Sequence, residues 1–295
     1  MIRLKITSSL RRRIRQALRE DVGSGDITTN LIVPPDFKIQ ATLVTRESGV
    51  VCGLPLLPEI FKRSKVRMLK KEGSWIKPNT VVAKISGPAR EILTNERLAI
   101  NFISKLSGIA TTTHEFVKQI KPYRCQLLAT RKTTPIWRDL EKYAVECGGG
   151  HTHRHGLFDQ YMLKDNHKEV MRLMGHRFSR VSAFKIRERR KKNVPFITEV
   201  DSIREIPWAL SFRPDMILLD NFTVSELRKA IQFVRELTKE RKASRPLLEA
   251  SGGITLENAR EIVKAGVDRI SVGAITHSPR AIDFSLEVTM QTRDQ

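Results

Sequence analysis

Cysteine is scarce. The 295-residue chain has three, Cys52, Cys125 and Cys147, far apart and without a C-x-x-C pair. That excludes a disulfide scaffold and points to a reducing compartment, the cytoplasm. No apolar run approaches the roughly 20 residues a bilayer span requires, which excludes a transmembrane helix. Aromatics make up only 6% of residues, and none interleaves the basic runs as a stacking platform for single-stranded nucleic acid needs. Zinc-finger, helix-turn-helix and RNA-binding signatures are missing too. The opening stretch "MIRLKITSSLRRRIRQAL" is arginine-rich and acid-poor, as transit peptides are, but it has no secretory apolar region or small-residue cleavage site. It reads as an amphipathic helix capped by Ser8 or Ser9, with Leu10, Ile14, Ala17 and Leu18 on one face.

Acidic residues are also few. Against 53 Lys and Arg stand 32 Asp and Glu, a net charge of +21. The excess lies in "RRRIRQALR", "FKRSKVRMLKK" and "RFSRVSAFKIRERRKKN". A field of this sign suits a phosphate backbone or steers small polyanions into an enzyme. For any single run, a solvated helix face is the plainest reading.

What is present is alternation. Residues from about 37 to 90 read as short strands and turns, with "VVAKI" as one strand. Arg90 to Ile120 has apolar residues at helical spacing, interrupted by Gly108, so two helices joined near that glycine are expected. Beyond Pro122, short apolar runs recur between helical stretches: "CQLLATRKTTP", "FDQYMLKDNH", "PFITEVDS", "DMILLDNF", "PLLEASGGI" and "DRISVGAI". Near-continuous apolar strands alternating with helices imply a buried parallel sheet. Residues past about 280 read as helical and returning to the first domain.

The strand ends carry the chemistry. In α/β barrels functional groups sit at the carboxyl ends of the strands. Here these ends bring the cations Arg131, Lys132, Arg154 and Lys164 and the carboxylates Glu199, Asp201 and Asp220. The adjacent Arg131 and Lys132 are expected to point to opposite sides. "EASGGIT" and "SVGAIT" each end a strand and open a helix, a placement that suits a phosphate. In "CGGGHTHRHGLFD", Cys147 with His151, His153 and His155 offers four soft ligands for zinc. Arg154 between two of the histidines argues instead for an anion site. Glu199 and Asp220 read as an acid/base pair, a magnesium site or helix caps; oxygen ligands near phosphate favour magnesium over zinc. Together these groups describe a pocket for two polyanions, at least one phosphorylated.

Several of these motifs resemble the quinolinate phosphoribosyltransferase family. The similarity runs in order through "EDVGSGDITT", "TNERLAINFISKLSGIATTT", "ATRKTTP", "LEKYAVECGGGHTHRHGLFDQYMLKDNH", "TEVDS", "LLDNF", "EASGGIT" and "ISVGAITHS". It implies an α/β fold in two domains: an N-terminal α/β sandwich over 1–112 and an incomplete, seven-stranded α/β barrel of the type II phosphoribosyltransferases over 113–279, with a helix at about 280–295 packing back on the first. It implies a pentosyltransferase that converts quinolinate and 5-phosphoribosyl-1-pyrophosphate to nicotinate mononucleotide, pyrophosphate and carbon dioxide with Mg2+, in de novo NAD biosynthesis.

The resemblance further implies a homodimer, or a hexamer, in which Arg97 of "NERLA" reaches the neighbouring subunit's pocket. Arg131, His153, Arg154 and Lys164 would hold the two carboxylates of quinolinate, and Lys132 would contact the phosphoribosyl donor. Glu199 and Asp220 would approach the ribose hydroxyls and the magnesium, making them, with Lys132, the catalytic groups. Ser251, Gly252, Gly253, Ser271 and Gly273 would bind the ribose phosphate. One position departs from the family pattern: Thr152 stands where an asparagine usually precedes the histidine. The family pattern does not account for the basic excess. Two other readings remain open: a same-fold paralogue of the molybdenum-operon type acting on another aromatic acid, and a basic nucleic-acid-binding protein.

Overall fold

The computed structural model describes residues 3–175, 180–191 and 193–291. Residues 177–179 and 192 of the third basic run, and residues 292–295 of the terminal segment, lie outside the described residues.

In chain order the first elements are α1 (Ser8–Val22), α2 (Ile27–Ile32), β1 (Lys38–Thr45), β2 (Gly49–Val50), α3 (Leu57–Ile60), β3 (Lys65–Met68), β4 (Trp75–Ile76), β5 (Val81–Pro88) and α4 (Ala89–Ile120). There follow β6 (Gln126–Ala129), α5 (Arg138–Cys147), β7 (His151–Thr152), β8 (Tyr161–Leu163), α6 (Asp165–Leu173), α7 (Arg180–Arg189) and β9 (Phe196–Val200). The last are α8 (Ile206–Ser211), β10 (Met216–Asp220), α9 (Val224–Glu240), β11 (Leu247–Ser251), α10 (Leu256–Lys264), β12 (Arg269–Val272), α11 (Ala274–His277) and β13 (Phe284–Gln291). The chain forms two compact units: residues 1–114, 140–149 and 278–295, and residues 115–139 and 150–277. The stretch 140–149, expected in the barrel domain, therefore counts with the first unit.

The first unit is built on an antiparallel sheet in the order β13-β1-β5-β3. Helix α1 starts one residue earlier than the cap expected at Ser8 or Ser9: Thr7 is the N-cap, its Oγ1 accepting from Leu10 N at 3.1 Å. Leu10 and Ile14 bury the apolar face. Two expectations are corrected in this unit. The segment after 280 is a strand over 284–291, not a helix, with Phe284, Leu286 and Val288 of β13 opposite Thr45, Leu43 and Ala41 of β1. Its apolar residues alternate with period two, which suits a strand, and pairing satisfies the outer edge of β1. Nor does Gly108 divide α4, which runs unbroken for 32 residues. A Cβ at Gly108 would lie 2.1 Å from the Arg280 carbonyl oxygen, so the glycine serves a close approach of the chain rather than a break.

The second unit carries a seven-stranded parallel sheet in the order β7-β6-β12-β11-β10-β9-β8. Among the described residues no pairing joins β7 to β8, so the barrel is incomplete, as expected. Helices α9 and α10 begin with capping boxes, Thr223 with Glu226 and Thr255 with Asn258, which satisfy orphan amides at their N-termini. Deep on the sheet, Ile197, Met216 and Leu218 form an apolar cluster against Met162. Register then sets the layers. Asp220, Ser251 and Ser271 lie in one row, with Leu218, Glu249 and Arg269 two residues deeper.

Candidate active site

At the carboxyl ends of these strands opens a cavity of about 600 Å3. Of the residues singled out in the sequence, Arg131, Lys132, His153, Arg154, Lys164, Asp220, Ser251, Gly252, Gly253, Ser271 and Gly273 line it. Glu199 is buried and reaches the site through Lys164, whose Nζ donates to Glu199 Oε2 at 2.7 Å. Arg97 is exposed on α4 and is not among the lining residues. Thr130, Asn221, Glu249 and His277 also line the cavity and were not assigned roles from the sequence.

Strand β6 ends at Ala129, so Arg131 and Lys132 have left the strand and both face the cavity. This corrects the expectation that they point to opposite sides, because period-two alternation stops with the strand. Lys132 is held from both ends. Thr276 Oγ1 donates to its carbonyl at 2.8 Å, and its side chain passes where a Cβ on Gly273 would stand, 2.8 Å from Cδ.

The histidine stretch is likewise extended only briefly. β7 covers His151 and Thr152, the latter level with Ala129, and the chain then turns. His151 and His155 are exposed, whereas His153 and Arg154 are buried. The turn is tied by Asp159, which accepts from His155 N at 2.6 Å and Gly156 N at 3.3 Å. Burial pushes the Asp159 carboxyl up, but these amide bonds outweigh it and hold it below its usual range. Arg138 supports the same turn, Nη1 donating to His155 O at 2.9 Å. Cys147 stands in the first unit with Cys52 and Glu72, its thiol donating to Glu72 Oε2 at 3.8 Å. Neither cluster of three or more metal-type ligands among the described residues includes these histidines.

Electrostatics separates the cations into two kinds. Burial, and next the charge of Arg131, push the Arg154 guanidinium below its usual value. Arg131 itself has a buried Nε with no hydrogen-bond partner. Two guanidiniums whose charges act on each other at one cavity suit an anion. Two lysines, by contrast, are paired with carboxylates. Lys164 is on Glu199, and Lys168 is on Asp201 and Glu205 at 2.8 and 2.9 Å. Burial lowers the Lys168 pKa, but these two carboxylates more than restore it.

A phosphate-type turn lines the same cavity. Gly252 and Gly253 have φ of 88° and 59°, and a Cβ on Gly252 would lie 2.0 Å from Asn221 Oδ1. The turn leads through Ile254 and the cap residue Thr255 into the nine-residue α10, whose positive pole lies there. The equivalent turn after β12 opens only the four-residue α11. Glu199, Asp201 and Asp220 bring carboxylate oxygens within 4.8 Å of one another. This all-oxygen donor set fits a hard cation such as magnesium.

The open parallel barrel, with two arginines and a glycine turn at a helix N-terminus lining one cavity, defines an α/β-barrel enzyme acting on a phosphorylated and a carboxylated substrate. Family models describe the chain at both ends: the quinolinate phosphoribosyl transferase N-terminal domain over residues 26–107 and its C-terminal domain over 109–287. The chain is 37% identical to the probable nicotinate-nucleotide pyrophosphorylase (carboxylating) of Methanocaldococcus jannaschii, covering 93% of this chain and 95% of the relative. It is also 37% identical to the Mycobacterium leprae nicotinate-nucleotide pyrophosphorylase (carboxylating), with the same coverage. The solved nicotinate-nucleotide pyrophosphorylase of Francisella tularensis superposes with a TM-score of 0.86 at 35% identity, over 98% of this chain and 99% of that one. The chain belongs to the quinolinate phosphoribosyl transferase family.

Proposed function

We propose that this protein transfers the phosphoribosyl group of 5-phosphoribosyl-1-pyrophosphate to quinolinate and releases pyrophosphate and carbon dioxide, forming nicotinate mononucleotide for de novo NAD synthesis. Family membership supports the reaction, and the Arg131–Arg154 pair is the observation that carries it to this cavity. A pyridine dicarboxylate brings the two negative charges that two guanidiniums lining one cavity favour. In this reading Arg131, His153, Arg154 and Lys164 surround the acid, and Lys132 meets the donor's phosphates. The ribose phosphate sits on Ser251, Gly252, Gly253, Ser271 and Gly273.

The pyridine nitrogen forms its bond to ribose C1 as the C1–oxygen bond to pyrophosphate breaks. Asp220 and Glu199 face the positive charge that develops on the ribose, as carboxylates do in glycoside chemistry. The 2-carboxylate then leaves as carbon dioxide, and the carbanion beside the quaternised nitrogen takes a proton from solvent. Glu199, Asp201 and Asp220 would hold magnesium, which when bound offsets the negative charge of pyrophosphate. The rest of the contribution is position in a cavity with little water.

A homodimer, or a hexamer, in which Arg97 enters the neighbouring subunit's cavity belongs to the same reading. The exposure of Arg97 on α4 supports it, as do the bare apolar residues of α2, Ile27, Leu31 and Ile32, 68–84% exposed. The three cysteines are unbridged, which supports a reducing compartment such as the cytoplasm. Among the described residues no helix is long and apolar enough to cross a membrane. The test is formation of nicotinate mononucleotide with magnesium, quinolinate against nicotinate as acceptor. Turnover with quinolinate is expected; turnover with nicotinate alone would overturn the assignment.

A further inference from the structure

Glu249 has no role in the reaction as set out above, yet it is placed for one. It lies on β11, on the same face as Ser251 and one layer below the row Asp220–Ser251–Ser271. Its side chain is 0% exposed, it lines the cavity, and neither carboxylate oxygen has a hydrogen-bond partner. A buried carboxylate left this way costs stability and is kept where it acts on something. The group facing it is His153, whose Nε2 stands 3.5 Å from Glu249 Oε2.

The other side of the imidazole is also engaged. His153 Nδ1 accepts from the backbone N–H of Arg154 at 2.9 Å. An N–H cannot donate to a nitrogen that itself carries a proton, so Nδ1 is unprotonated here and the ring proton sits on Nε2, towards Glu249. Carboxylate, imidazole and Arg154 amide thus form one line. Its far end is the residue whose guanidinium feels the charge of Arg131.

We propose that Glu249 is a positioning residue: it fixes the tautomer and ring plane of His153, and through the Nδ1 bond it fixes the backbone of Arg154, so that the guanidinium pair is set for the acceptor's carboxylates. His153 is on this account a strut within the pocket wall. A carboxylate with a neutral histidine beneath a metal does comparable work, orienting the ring rather than meeting substrate. The proposal rests on the quinolinate reading for its effect on turnover, but its structural core, the His153 tautomer, does not.

The test uses Glu249→Gln and Glu249→Ala in the full-length protein. A glutamine carbonyl takes the same place beside Nε2 and is able to accept from it, so E249Q is expected to keep KM for quinolinate within about threefold. E249A is expected to raise that KM at least tenfold while KM for 5-phosphoribosyl-1-pyrophosphate moves less than threefold. Nitrogen-15 NMR of the histidines should show His153 as the neutral Nε2–H tautomer at pH 7 in the wild type and E249Q. If E249A does not fold, the spectra of the other two still decide. An Nδ1–H or imidazolium signal for His153 at pH 7 would overturn the proposal. Equal impairment of both variants, or equal effects of E249A on the two substrates, would overturn it too. A wild type inactive with quinolinate but showing the Nε2–H tautomer would break the functional reading and leave the Glu249 strut standing.

Discussion

Gly252→Ala is the sharpest probe of the phosphate turn. At φ 88° an alanine is strained whatever space it finds, and the left-handed region costs a Cβ-bearing residue about 1–2 kcal/mol. The new Cβ would also stand 2.0 Å from Asn221 Oδ1, 2.7 Å from its Cγ and 3.0 Å from its backbone nitrogen. That nitrogen is fixed, donating to Ser251 O at 2.8 Å. Relief must therefore come from the Asn221 side chain turning away. The turn breaks its bond from Nδ2 to Asp220 Oδ2, 2.8 Å long, at a further cost of about 0.5–1.5 kcal/mol. The sum, about 1.5–3.5 kcal/mol, corresponds to roughly 10- to 300-fold. If the turn moves to release the strain, the loss falls on kcat/KM for the phosphoribosyl donor; if it does not, the loss falls on stability. Steady-state kinetics with the donor varied, calorimetric titration of quinolinate and thermal unfolding separate these outcomes. The expected result is a raised donor KM, quinolinate binding within twofold of wild type and a Tm lowered by a few degrees. Unchanged donor kinetics together with an unchanged Tm would refute the placement of the ribose phosphate on this turn.

Arg154→Met should weaken quinolinate binding about 10- to 100-fold, the worth of one or two charge-assisted bonds. The loss should fall on the acceptor and not on 5-phosphoribosyl-1-pyrophosphate, read by titration of each; equal weakening of both would contradict the placement of Arg154 at the acid. Glu199→Gln should abolish most turnover yet tighten quinolinate binding severalfold by freeing Lys164; the pair is discounted to about 1 kcal/mol because the lysine side chain is 41% exposed. Unchanged or weaker binding by titration would count against this. Gly108→Ala should destabilise the protein by about 1–3 kcal/mol in denaturant unfolding, since its Cβ meets the Arg280 carbonyl at 2.1 Å; a neutral or stabilising effect would restore the helix-break reading. Burial, and then the charges of Asp268 and Glu249, push the Cys125 thiol up to about 12. Its alkylation at pH 8 should therefore be at least about 100-fold slower in native than in unfolded protein, read by mass spectrometry.

What the sequence made legible was local. The strands of the second unit show as short apolar runs, and their ends name themselves because a charged or small residue after such a run has to sit on a rim. Arg131, Lys132, Lys164, Asp220 and Ser251–Gly253 were found that way, and all line the cavity. The misses share a cause: each depends on a partner distant in sequence. Gly108 looks like a helix breaker until Arg280 is seen against it, 172 positions further on by the numbering. The terminal strand has a period-two pattern in Phe284, Leu286 and Val288, but its outer positions are poorly buried, so its identity is settled by β1. Arg131 and Lys132 face one cavity because the strand stops two residues before them. Glu249 did leave a signal, as the single acid inside the apolar run "PLLEAS". A charge in the middle of a buried strand has to answer to something in the interior.

The cavity's cations are unequal, and the inequality has a chemical consequence. Arg131 and Arg154 repel each other and gain from any anion placed between them. Lys164 is already paired, its ammonium 2.7 Å from a carboxylate whose side chain is only 5% exposed. A substrate carboxylate that engages Lys164 therefore competes with Glu199 for the same ammonium. To the extent that it wins, the buried Glu199 carboxylate is released from the lysine and turns to the positive charge within reach, the magnesium it would share and then the charge that develops next. In the proposed reaction that charge develops on the ribose as pyrophosphate departs. On the proposed reading, seating the acceptor would do two things through one lysine: hold the diacid, and release the carboxylate suited to the transition state. A cavity lined with uniformly free cations would bind the diacid at least as well and would lack the second effect.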